Sequence, residues 1–72
     1  MKYYYASIIT QYDGYEWQEK AITTAKNITD ATEKINKFDF THEGIGEIQE
    51  LGNIKEITAR DFEVLKKYLM VA

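Results

Sequence analysis

The stretch KYYYASIITQYDGYEWQEKAITTA, residues 2–25, decides how this chain folds. Two runs rich in Tyr, Ile, Thr and Ala, residues 2–12 and 15–25, are joined by Asp13-Gly14. A two-residue loop of this composition is the strongest short hairpin signal, because a type I′ turn needs positive φ at both central positions and Asp and Gly tolerate it. The loop length then sets the register: Tyr12 faces Tyr15, Thr10 faces Trp17, Ile8 faces Glu19 and Ala6 faces Ala21. Side-chain alternation puts Tyr3, Tyr5, Ile9 and Ile22 on one side of that ladder and Tyr4, Ala6, Ile8 and Trp17 on the other. Neither face is purely polar. One must pack on helix, and the second is expected to stay partly exposed.

Beyond the hairpin, residues 27–38 read as a helix. Asn27 can cap its N-terminus, Asp30 sits three residues later, and Ile28, Ala31, Ile35 and Phe38 recur on one helical face. Thr32, Glu33, Asn36 and Lys37 fall on the outer face. A linker, residues 39–44, leads into residues 45–51 and 54–57, which flank Gly52-Asn53. That spacing predicts a second hairpin pairing Ile48 with Ile57 and Glu50 with Lys55. Thr58 then caps a last helix with Asp61 at its third position, Phe62, Leu65 and Leu69 form its apolar stripe, and Val64 and Tyr68 widen it. Lys66 and Lys67 are placed to favour its C-terminal dipole. The order ββαββα over residues 1–72 predicts one α+β domain, an antiparallel four-stranded sheet with both helices on one face.

Composition narrows the chemistry. The 72 residues contain no Cys, no Pro, one His (His42) and one Ser (Ser7), whereas nucleophilic and metal chemistry ordinarily needs several such groups converging. The 44% hydrophobic and 14% aromatic content is too high for a disordered chain. A chain this short still buries only about 60% of its unfolded surface, so its core is thin. Absence of Cys favours a reducing compartment, hence the cytoplasm. The N-terminus reads as a strand, not a signal peptide, and no run approaches the roughly 20 apolar residues of a membrane helix.

A net charge of −3 opposes generic binding to a phosphate backbone. The charge is unevenly spread: Asp39, Glu43, Glu47 and Glu50 lie between Phe38 and Ile54 with no intervening Lys or Arg. Such a run serves either as a solvated edge or as a surface complementary to a basic partner. Asp39, His42 and Glu43 have metal-ligand spacing on a helix, but the glycines at 44 and 46 indicate a loop and a fourth ligand is missing, so no metal site is assigned. Gly44-Ile45-Gly46 opens no helix and makes no phosphate cradle. No cofactor is expected. The Tyr3-Tyr4-Tyr5 run with Tyr12, Tyr15 and Trp17 suits base stacking, although Glu16 and Glu19 offset the nearby Lys2 and Lys20.

Met1 to Ile9, the Asp13-Gly14-Tyr15 turn, and Ala25-Lys26-Asn27 leading to Asp30-Ala31 resemble the opening ββα of HicB-type antitoxins. That resemblance implies a partner of a small basic RNase toxin. The whole-chain layout, with its Met-Lys start, aromatic first strand, Gly turn and capped helix, resembles small phage-encoded anti-CRISPR proteins. This second resemblance implies a stoichiometric inhibitor that covers an effector surface. The expectation is therefore a non-enzymatic, phage- or mobile-element-encoded protein that blocks a host defence effector or nuclease in the host cytoplasm. Its partner presents a basic surface and handles nucleic acid. Asp39, Glu43, Glu47 and Glu50 would engage basic groups, with Tyr3, Tyr5 and Trp17 as anchors. The alternatives are a nucleic-acid-binding module using the Tyr-rich sheet, or an antitoxin-like protein. No membrane contact is expected, and the thin core leaves room for a homodimer through an open sheet face or edge strand.

Overall fold

A computed structural model describes residues 1–37 and 48–72. Strands β1 (Lys2–Tyr12) and β2 (Tyr15–Ala25) form the antiparallel hairpin in the register its loop dictates, from Tyr12 opposite Tyr15 to Lys2 opposite Ala25. Asp13 and Gly14 take φ of 49° and 80°, the left-handed pair of a type I′ turn. A Cβ on Gly14 would meet nothing within 4 Å. Glycine is there for its backbone freedom and not for space.

Helix α1 (Ile28–Lys37) follows, its N-terminus closed by the Asp30 amide donating to Asn27 Oδ1 at 2.9 Å. Ala31 and Ile35 are buried, while Ile28 is 51% exposed and lies outside the packed stripe. The next strand, β3 (Ile48–Ile57), is continuous and pairs antiparallel with the other edge of β1. The second hairpin expected around Gly52-Asn53 is thus not formed. Ser7 faces Asn53 and Ile8 faces Leu51, so Gly52 is the extra residue of a β-bulge. A Cβ at Gly52 would sit 3.2 Å from Ile9 Cγ1 and 3.3 Å from the Ser7 carbonyl oxygen. The glycine permits close approach of β1, and bulge and turn share the same local signature. One long strand wins because β1 offers eleven residues of unpaired backbone along that edge, which two short arms folded on each other would leave half unsatisfied.

Helix α2 (Ala59–Leu65) starts at the predicted cap, the Asp61 amide donating to Thr58 Oγ1 at 3.1 Å. It ends four residues earlier than its apolar stripe suggests. Lys66 and Lys67 fall after its last turn, and Met70–Val71 forms a short strand, β4, parallel to β2. The Ala72 amide donates to the Ile22 carbonyl at 2.9 Å, and Thr23 Oγ1 donates to the Ala72 carbonyl at 3.1 Å. Strand pairing brings Met70 and Ala72 against the core, which a continued helix would not do.

The sheet order is β3-β1-β2-β4, so the expected wholly antiparallel sheet is mixed. The helices also lie on opposite faces and not together on one. Ala31 and Ile35 of α1 pack with Tyr4, Ala6, Ile8, Ala21 and Ala25, whereas Phe62 of α2 packs on Tyr3, whose side chain leaves β1 on the other side. The cause is topological. The β2-α1-β3 crossover travels one way across the sheet and the β3-α2-β4 crossover returns the other way, so two crossovers of the same hand must run over opposite faces. A hairpin apolar on both sides can accept both helices.

Candidate partner-binding surface

The two faces of the sheet are covered unequally. On the α1 side four alanines, Ala6, Ala21, Ala25 and Ala31, let the helix backbone approach the strands closely, and every one of them is buried. On the α2 side a helix of seven residues buries one large side chain, Phe62, which meets Tyr3 at a ring-centroid distance of 5.0 Å and 50° between planes. So short a helix spans only part of the sheet. Between it and β3 runs a groove of about 340 Å³ lined by Tyr5, Lys55, Ile57, Asp61, Val64 and Leu65. Toward the N-terminus it continues, through the shared Lys55, Ile57 and Asp61, into an open cleft of about 550 Å³ that reaches Lys2, Tyr3 and Thr58.

One wall of the groove carries a cation and the other an anion. Lys55 on β3 holds its ammonium 5.6 Å from the centre of the Tyr5 ring, and Asp61 sits in the first turn of α2. Beside the cleft Lys2 and Glu56 approach to 3.9 Å, both more than half exposed, a pair worth little in stability. Val64, on the groove wall, is 53% exposed; Tyr68, three residues past the end of α2, is 78% exposed, and Val71, on β4 at the opposite edge of the sheet from β3, is 49% exposed. Val64 and Tyr68 are four residues apart, and backbone bonds from Tyr68 and Leu69 to the Leu65 carbonyl, both 2.9 Å, keep the chain coiled between them. Val71 pairs with Ile22 and so lies on the same side of the sheet as α2.

No family model, curated protein or solved structure matches the chain. The reading of its surface therefore rests on the residues themselves. Asp39, Glu43 and Glu47 lie outside the described residues, as do His42 and the Gly44-Ile45-Gly46 segment. Glu50 is exposed on β3 opposite Ile9, on the α2 side. Tyr3 and Tyr5 are on that same side but half-buried, with α2 above them. Trp17 is not with them: it pairs with Thr10 on the α1 side, 38% exposed, its Nε1–H donating to Glu19 Oε1 at 3.4 Å. There Glu19 Oε2 and the fully buried Thr10 hydroxyl have no hydrogen-bond partner among the described residues.

The aromatic anchors expected from the sequence are thus split between two faces, a split already implied by the odd and even positions of the hairpin. Val64, Tyr68 and Val71 were not singled out as a surface. Their signal was present as excess: a helix stripe that includes Phe62, Leu65, Leu69, Val64 and Tyr68 is wider than one short helix can bury. Lys55 and Asp61 carried no signal, since their facing depends on where α2 lands. Among the described residues no three His, Asp or Glu side chains gather as metal ligands.

Proposed function

We propose that the chain is a non-enzymatic binding protein that works by occupying the surface of another protein. Its α2 side makes the contact. The observation that carries this reading is an open, mostly apolar groove between α2 and β3 with exposed Val64 on its wall and exposed Tyr68 four residues further along the chain, on a chain with little apolar surface to spare. Aromatic and aliphatic groups around a cleft, with a few charges at its edge, are the usual make-up of an interface centre. Base stacking is less well supported on this side, because α2 covers the sheet face that Tyr3 and Tyr5 share and the Tyr3 ring is packed on Phe62.

The finer form of the proposal is an inhibitor of a defence effector or nuclease, encoded by a phage or mobile element, as the layout it shares with anti-CRISPR proteins implies. In that form the acids Asp39, Glu43, Glu47 and Glu50 supply electrostatic attraction to a basic, nucleic-acid-handling partner, and Val64 and Tyr68 supply the apolar centre. The test is affinity capture of the tagged protein from host lysate treated with nuclease, read by mass spectrometry beside the Val64→Ser/Tyr68→Ser double variant. The expected result is one partner recovered in stoichiometric amount by the native chain and by Trp17→Ser, and lost with the double variant. Equal recovery by the double variant, or recovery only of partners that nuclease treatment removes, would overturn the proposal.

A further inference from the structure

We propose that the outer edge of β3 is a self-association surface, on which a second copy of the chain pairs β3 with β3 in antiparallel sense about a two-fold axis between Gly52 and Asn53. Among the described residues β3 is a terminal strand of the sheet and, at ten residues, far longer than β4 at the opposite edge. In an antiparallel pair, residues directly opposite each other must share a face. In an unbroken strand, positions 50 and 55 fall on opposite faces, and so do 51 and 54. The bulge at Gly52 changes that. Glu50 faces Ile9 and Lys55 faces Tyr5, both on the α2 side, while Leu51 faces Ile8 and Ile54 faces Ala6, both on the α1 side.

One register therefore sets Glu50 against the second copy's Lys55 and Leu51 against the second copy's Ile54, since both pairs straddle the same midpoint. The two-fold axis repeats each contact, giving two ion pairs and two aliphatic pairs. Displacing the register by two residues sets Leu51 against Glu56, or Glu50 against Asn53, and loses both. The same complementarity made the sequence around Gly52-Asn53 look like a hairpin; within one chain β1 takes the strand, and the pairing is left unused. Glu50 and Lys55 are both exposed, and neither is in an ion pair among the described residues. A bulge ordinarily protects an edge by spoiling the fit of any regular strand. A second copy brings the matching bulge, so the device that excludes other strands admits this one.

The inference shares Glu50 and Lys55 with the partner surface but not Val64 and Tyr68, so self-association that survives in the Val64→Ser/Tyr68→Ser variant separates it from that reading. It is tested by sedimentation equilibrium of the purified chain over a range of concentration at low and high salt. A monomer–dimer equilibrium that weakens with salt is expected. Glu50→Lys and Lys55→Glu, each shown to be folded by circular dichroism, should each weaken dimerisation about tenfold or more at low salt by placing like charges opposite one another. An equimolar mixture of the two variants should recover it, because every reversed side chain then meets an opposite charge. A native chain that stays monomeric throughout, or a mixture that associates no better than either variant alone, would overturn the proposal.

Discussion

The α1 and α2 sides of the sheet are built from the same strands and solve different problems. Against α1 the strands present Tyr4, Ala6, Ile8, Ala21 and Ala25, all 5% exposed or less, and the helix answers with Ala31 and Ile35. Against α2 they present Ile22, which is fully buried, and Tyr3 and Tyr5, which stay half-buried, and the helix answers with buried Phe62 and half-buried Leu65. Small residues allow close packing and a dry interface. Large aromatics under a short helix leave a groove. The difference teaches that the α1 side holds the larger share of the core, while the α2 side, for all that Ile22 and Phe62 are buried there, has apolar surface left for contact.

Stability measurements on single variants should separate the two sides. Ile35→Ala, which empties a site that is 2% exposed, should cost about 2–4 kcal/mol in denaturant unfolding, enough to unfold much of so small a chain. Tyr68→Ser, at 78% exposure, should change stability by no more than about 0.5 kcal/mol. Similar losses from both would erase the comparison. Gly52→Ala should come next, at about 1–3 kcal/mol, because the new Cβ has the Ile9 side chain and the Ser7 carbonyl within 3.3 Å, so that both must shift by a few tenths of an ångström in a paired strand. Were Gly52 a turn residue, the variant would instead fail through strain at positive φ, and Asn would rescue it. In the bulge, Asn should be no better than Ala.

The helix caps sharpen the comparison at smaller scale. Asn27→Ala and Thr58→Ala each remove one capping bond worth about 1 kcal/mol. Removing the α1 cap should lower global stability. Removing the α2 cap should mainly raise local opening of a short helix anchored by buried Phe62 and half-buried Leu65, with less effect on the unfolding midpoint. Smallest of all is Thr10→Val, which deletes a buried hydroxyl that has no partner among the described residues and should be neutral or stabilising by up to about 1 kcal/mol. A loss above that range would show that the hydroxyl makes a bond.

Local features were legible in the sequence, and their physical basis explains why. Asp13-Gly14 has one low-energy way to join two strands, so the hairpin and its register follow from the loop length. Asn27 and Thr58 cap helices through bonds to residues three positions away. What depended on distant chain was not legible. Gly52-Asn53 reads equally as a turn or a bulge, and only the length of β1's open edge decides between them. Leu69-Met70-Val71 continues a helical period, and only the neighbouring β2 converts it to strand. The side on which each helix lies follows from the direction of its crossover, which no local window contains. The candidate surface shows the same division: the opposite facing of Tyr5 and Trp17 was written in the hairpin register, whereas the grouping of Lys55, Asp61 and Val64 required α2 to be placed.

The most direct test of the two-sided account is residue-resolved amide hydrogen exchange of the native chain. The account predicts that Ile35 and the β1 amides exchange only through global unfolding, while Phe62 to Leu65 exchange through local opening at a markedly lower free energy. Amides of α2 protected to the same level as those of α1 would contradict it, and would make the α2 side as much a part of the core as the other.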